Sequence, residues 1–135
     1  DRLVDSGWVT SGGAINQVAS LLVAQAIDSG IQERHLEHLR QVLRSRRDAM
    51  HAALLQHFAG IATWSRPLGG YFFWVRLPGV DTRELQQKAE AFQVGLRPGI
   101  RFSSQDGLNE YIRLSISYYS EDEIEQGIQR LRASL

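Results

Sequence analysis

Apolar residues recur at three- and four-residue spacing over residues 14–28, where Ile15, Val18, Leu22 and Ala26 fall on one stripe. That period predicts a helix, and Ser29-Gly30 closes it with a residue suited to a helix C-terminus. Residues 1–13 carry no clear period, and Thr10-Ser11-Gly12-Gly13 reads as a loop. Residues 31–58 predict one long helix, with Leu36, Leu39, Leu43, Met50, Leu54 and Phe58 on its apolar stripe and Arg and Glu opposite. At 1.5 Å per residue it would run about 40 Å, longer than a compact domain of this size needs. It is therefore expected to pack against something outside these residues.

The period changes after Ala59-Gly60. Residues 61–65 form a short strand candidate closed by Arg66-Pro67, and residues 71–77 a strong one, rich in aromatic and β-branched residues. Pro78-Gly79 turns the chain. Asp81, with Glu84 three residues on, has the pattern of a capping box opening a helix that runs to about Phe92. Residues 94–97 read as a short strand ended by Pro98-Gly99, and residues 111–118 as a second strong strand. Ser120 and Glu123 repeat the capping-box pattern before a last helix with Ile124, Ile128, Leu131 and Leu135 on one stripe. The order α-α-β-β-α-β-β-α predicts an α+β two-layer sandwich. Its small mixed or antiparallel sheet has helices on one face and a long helix before it.

Strand alternation sorts the faces. Ile112, Leu114 and Ile116 suit a core, whereas Tyr111, Arg113, Ser115 and Ser117 share the opposite face, placing one arginine among hydroxyls. In residues 71–77 both faces are apolar: Tyr71, Phe73 and Val75 on one, Phe72 and Trp74 on the other. A strand apolar on both sides asks for cover on both sides, which points to a partner domain or subunit.

Composition narrows the class. The chain has 135 residues, 15 basic and 15 acidic, with 43% hydrophobic residues. These values suit one globular domain. Neutral charge disfavours an electrostatic nucleic-acid binder. No cysteine means no disulfide framework, Cys-type zinc site or thiol chemistry. No apolar run approaches the ~20 residues that cross a bilayer, and the first residues do not resemble a signal peptide, so a cytoplasmic domain is expected. Lys88 is the one lysine.

Four features invite chemistry, each with a plainer reading. His35 and His38 are three apart on a helix, a spacing that suits a metal, but no zincin-type carboxylate accompanies them, and solvated histidines are the simpler account. Arg40, Arg44, Arg46 and Arg47 form a basic stretch, but Glu33, Glu37 and Asp48 interleave it, as on a charged outer helix face. Gly69-Gly70 matches neither a Walker loop nor a dinucleotide fingerprint, and close approach of backbone to a ligand or neighbouring segment is its economical use. Arg113, rooted mid-strand, is either a rigid bidentate carboxylate clamp or an arginine snorkelling from an exposed face. No triad, paired acid–base carboxylates or nucleophile motif accompanies it.

Four segments resemble the C-terminal small domain of fold-type-I, pyridoxal-phosphate-dependent aminotransferases of class I/II. Pro67-Leu68-Gly69-Gly70-Tyr71-Phe72-Phe73-Trp74, followed by Leu77-Pro78, resembles the family's P-x-G-G-x-F-x-W-x-x-L-P strand. Arg97-Pro98-Gly99-Ile100-Arg101-Phe102 is similar to its P-G-x-x-F turn, and Asn109-Glu110-Tyr111-Ile112-Arg113-Leu114-Ser115 to its N-x-x-R-L-S strand. Ser120 through Leu131 resembles its closing S-x-E-E-I-x-x-G-I-x-R-L helix. Arg46-Arg47-Asp48-Ala49-Met50 fits the preceding long helix, and Ser11-Gly12-Gly13-x-x-Asn16 resembles a loop and helix of the 2-aminoadipate-type subgroup. Together these segments span nearly the whole chain.

The resemblance implies that residues 1–30 are a loop and helix from the end of a large domain, and residues 31–135 the small domain. It implies that Arg113 binds the α-carboxylate of an amino-acid or 2-oxo-acid substrate, that Gly69 and Gly70 bring backbone near it, and that Ser11 and Gly12 lie near the pyridoxal 5'-phosphate of a partner subunit in a homodimer. The family's cofactor lysine belongs to a large-domain segment upstream of these residues, and Lys88 has no such motif around it. No catalytic residue is therefore assigned within this chain, and alone it is expected not to transaminate. Two other readings stand beside the enzyme: a ligand-sensing domain of a GntR/MocR-type transcriptional regulator, and a freestanding α+β binding module.

Overall fold

The computed structural model describes residues 16–135. The chain divides after Arg40 into two compact units. The first holds helix α1 (Gln17–Asp28), capped by the Asn16 side chain, which accepts from the Ala19 amide. No residue of α1 is buried, and Val18, Leu21, Leu22, Val23 and Ile27 are exposed. Helix α2 (Ile31–Phe58) gives its first ten residues to this unit and the rest to the second.

The second unit is the two-layer sandwich expected from the element order. Strands β1 (Thr63–Trp64), β2 (Phe72–Arg76), β3 (Arg97–Pro98) and β4 (Tyr111–Ser115) form one antiparallel sheet in the order β1-β2-β4-β3. Helices α3 (Thr82–Ala91) and α4 (Glu121–Ala133) join the second half of α2 in supplying the helical side of the core. Register explains the layering. Phe73 pairs with Leu114 and Val75 with Ile112, and all four are buried among Leu54, Phe58, Leu85, Ile128 and Leu131. Each such side chain contributes about 1.5–3 kcal/mol by leaving water.

Most predicted elements form where the pattern put them; the strand expected over residues 61–65 is confined to Thr63–Trp64, and three further features differ. Residues 94–96 run as a connection rather than a strand. Gln93 adopts a left-handed backbone as α3 ends, and the Val94 amide donates to the Ala89 carbonyl at 3.0 Å, so only Arg97 and Pro98 reach the sheet. Pro98 is tolerated there because β3 is an edge. Asp81 caps α3 by accepting from the Arg83 amide at 2.8 Å, and among the described residues the reciprocal Glu84 bond is not formed. The box at Ser120 and Glu123 is complete. Strand β4 ends at Ser115, where the Ser115 and Ser117 hydroxyls bond to each other at 2.9 Å and the chain bends toward α4.

Candidate functional site

The sheet has one covered face and one open face. On the open face Phe72 and Trp74 are each 38% exposed, so the second apolar side of β2 has only partial cover in the described residues. Arg113 stands at the middle of β4, with strands on both sides of it. Trp74 lies directly across from it on β2, and Arg97 directly across on β3.

The Arg113 guanidinium rests on aromatic rings. Its carbon is 3.9 Å from the Phe72 ring centroid and 4.4 Å from that of Phe102. Phe102 belongs to a single 3-10 turn (Gly99–Phe102) and meets Trp74 edge-on, 5.3 Å between centroids at 86°. Cation–π attraction fixes the plane of the guanidinium without neutralising its charge. Among the described residues no hydrogen bond or ion pair reaches this side chain. Its N–H fork is thus aimed by packing and carries no counter-ion among the described residues. A cleft of about 420 Å³ adjoins it, bordered by Phe72, Arg97, Arg113 and Ser115 of the sheet and by Gln86 and Glu90 of α3. Two guanidiniums on one wall of a cleft are groups able to hold an anion. The neighbouring Ser115 hydroxyl is engaged with Ser117 rather than with a base.

Phe102 is seated by one close approach of backbone. A Cβ on Gly99 would lie 2.5 Å from the Leu108 carbonyl oxygen and 2.8 Å from the Tyr111 Cβ. Leu108 itself has φ +64, a conformation costly for a branched side chain. Its carbonyl accepts from the Tyr111 amide at 3.0 Å, which starts β4.

The other expected site residues separate. Gly69 and Gly70 form the bend leading into β2, next to the 99% exposed Leu68, and do not line the Arg113 cleft. Gly70 has φ +80, which favours glycine, whereas a Cβ at Gly69 meets nothing within 4 Å. Ser11 and Gly12 lie outside the described residues. Lys88 borders a different cleft with Asp81 and Glu84, one sharing no lining residue with that beside Arg113.

Several other charged and imidazole groups have structural partners. Arg47 and Arg66 both bind Asp48, and their hydrogen bonds hold its carboxyl at a pKa of about 2. Arg46 donates to the Ser117 carbonyl at 2.9 Å. His57 contacts Glu125 at 2.7 Å, and the Trp64 indole donates to His51 at 3.1 Å. Among the described residues, no three His, Cys, Asp or Glu side chains are grouped to hold a metal ion, and no helix is long and apolar enough to cross a membrane.

The sequence model of the family described as aminotransferase class I and II matches residues 4–131. This chain belongs to that family. The family member is 33% identical over 132 residues to the uncharacterized HTH-type transcriptional regulator YdfD of Bacillus subtilis, covering 97% of this chain and 27% of that protein. It is 31% identical to aromatic-amino-acid aminotransferase 1 of Thermococcus litoralis over 121 residues, 89% of this chain and 29% of that one. Among solved structures it resembles LysN, the alpha-aminoadipate aminotransferase of Thermus thermophilus complexed with N-(5'-phosphopyridoxyl)-L-leucine. That likeness has a TM-score of 0.78 and 33% identity, over 84% of this chain and 29% of that one. The chain therefore spans under a third of the length of each relative.

Sequence reasoning singled out Arg113 but not its setting. Arg97 becomes its neighbour only through the β3–β4 register, which nothing local in the sequence reveals. Phe72 carried a signal in the doubly apolar strand. Phe102 carried one as the end of the P-G-x-x-F turn.

Proposed function

We propose that the full-length protein is a pyridoxal-phosphate-dependent aminotransferase, cytoplasmic and homodimeric. It moves an amino group between an amino acid and a 2-oxo acid, and this chain supplies the clamp for the substrate α-carboxylate. The observation that carries the reading is Arg113, held over Phe72 and Phe102 with its charge uncompensated among the described residues. A bidentate guanidinium fixed in this way matches a planar carboxylate. Gly69 and Gly70 would let backbone approach the bound substrate, and Ser11 and Gly12 would lie toward the cofactor phosphate of the partner subunit.

The residues of this chain do not by themselves fit the cofactor. Lys88, the one lysine, sits among Asp81 and Glu84 in its own cleft. The amine that joins the cofactor therefore belongs to the remainder of the full-length protein, and no chemical step is assigned to residues here. The exposed apolar side of α1 supports grouping residues 1–30 with that missing large domain.

The test is the full-length protein mixed with single amino acids, with the 2-oxo acid product followed by mass spectrometry. Turnover is expected. Arg113→Ala is expected to weaken amino-acid binding by about 2–5 kcal/mol, as for a charged group losing its buried partner. Unaltered affinity in that variant would remove Arg113 from the site. The similarity to YdfD supports a second reading, an amino-acid sensor attached to a DNA-binding segment. It predicts binding without turnover.

A further inference from the structure

We propose that the cleft between α4 and the end of β4 is a second binding site, one for a small monocarboxylate with an apolar body. That body fills a notch left by Gly127, and the carboxylate meets Arg130.

Strand β3 pairs with β4 only at Arg97 and Pro98, and the left-handed Gln93 turns the chain before it. A cleft of about 350 Å³ opens between residues 93–95, the end of β4 and α4. Its floor is core: Met50, Leu114, Ile124 and Ile128 line it, each 3–5% exposed. Leu114 faces this cleft, whereas Arg113, one residue before it, faces the other side of the sheet. The two clefts therefore share only Val94, Gly95 and Ser115, at the end of the strand.

Gly127 stands inside α4, where glycine is destabilising relative to alanine. Its backbone is not left-handed, and a Cβ there would meet nothing within 4 Å, so neither conformation nor packing among the described residues asks for glycine. What it does is leave a gap. Glu123, Gly127 and Arg130, at i, i+4 and i+7, share one helical stripe along the cleft. The two charges at the ends of that stripe are not equivalent. The Glu123 carboxylate is turned back to the helix start, where it accepts from the Ser120 amide and hydroxyl at 2.8 Å each. Arg130 forms no ion pair among the described residues. The uncommitted charge of the cleft is therefore positive, and it is rooted about 10 Å along the helix from Glu123. A guanidinium suits a planar carboxylate, and the gap at Gly127 leaves apolar floor for the rest of the molecule. An anion without an apolar part would leave that floor bare.

The test is calorimetric titration of the full-length holoprotein with octanoate, butyrate and octanol. Octanoate is expected to bind about 10-fold or more tightly than butyrate, because four further methylenes leave water. G127L fills the notch and is expected to remove that advantage while the melting temperature holds or rises, and G127A to remove part of it. R130M is expected to weaken octanoate about 10-fold, the scale of a charge-assisted contact, and to leave octanol unchanged. Octanoate binding that G127L leaves intact overturns the proposal, and its loss in R113M would then assign the octanoate to the Arg113 cleft. Octanol binding as tightly as octanoate overturns the carboxylate head. Absence of octanoate binding by the holoprotein overturns the site altogether.

Discussion

The guanidinium of Arg113 lies over the ring of Phe72, which is rooted one strand away, opposite Ser115 rather than opposite Arg113. The contact is thus diagonal across the sheet, and it depends on β2 and β4 keeping their register. Phe72 is half-exposed and outside the core cluster, so its role can be separated from folding. Phe72→Ala is expected to lower carboxylate affinity by about 0.5–2 kcal/mol, the range of a cation–π contact. Titration of the full-length protein with a monocarboxylate measures this, and thermal melting should move by only a few degrees.

The glycine pair before β2 divides into a backbone requirement and a vacancy. Gly70→Ala forces alanine to φ +80 and is expected to destabilise the fold by about 1–2 kcal/mol. Gly69→Ala meets open space and is expected to fold like the parent. If Gly69 lets backbone approach a substrate, that same variant loses amino-acid affinity while its melting temperature holds. Loss of neither would leave Gly69 without a role at the site.

Gly99→Ala is expected to cost about 1–3 kcal/mol or more, because the new methyl meets backbone oxygen rather than a side chain able to move aside. The displaced turn would carry Phe102 with it. Chemical denaturation should report the stability loss, and carboxylate titration a weakened Arg113 site in the fraction that folds.

The layout of the sheet was legible because its signals are local. The Ser120–Glu123 box, the alternation in residues 111–117 and the stripe of Ile124, Ile128 and Leu131 each need only a few neighbouring residues to be read. Arg113 stood out for the same reason. What the sequence hides is tertiary. The end of α3 takes a left-handed residue at Gln93 and consumes residues 94–96, because the helix terminus must be satisfied before the chain can return to the sheet. The pairing of Arg97 with Arg113 joins positions sixteen apart (113 − 97), and only the register decides that they face each other.

Acid should destabilise the fold through groups whose carboxyls are held ionised. Hydrogen bonds from Arg47 and then Arg66 lower Asp48 to about 2, and Glu110 is lowered by the Gly79 amide and then by Arg76. A carboxyl with a folded pKa below its unfolded value adds stability above the unfolded pKa, and that stability is lost as pH falls through the folded pKa. The unfolding midpoint in denaturant is therefore expected to fall between about pH 5 and pH 2. Asp48→Asn should flatten this slope. Exposure of the groups and salt screening keep the effect modest, and added salt should reduce it further.

The strand order has a consequence for synthesis. β4 sits between β2 and β3, yet it is the last of the four strands to leave the ribosome, with α4 after it. Until about residue 115 has emerged, β3 has no neighbour to pair with and Phe73 and Val75 lack their cross-strand partners. The chain must therefore hold its nascent helices and a two-strand ribbon until residues 111–115 arrive, and then close the sheet in one late step. A ribosome stalled before residue 111 should expose β2 to proteases and chaperones. One stalled with α4 outside the exit tunnel should not.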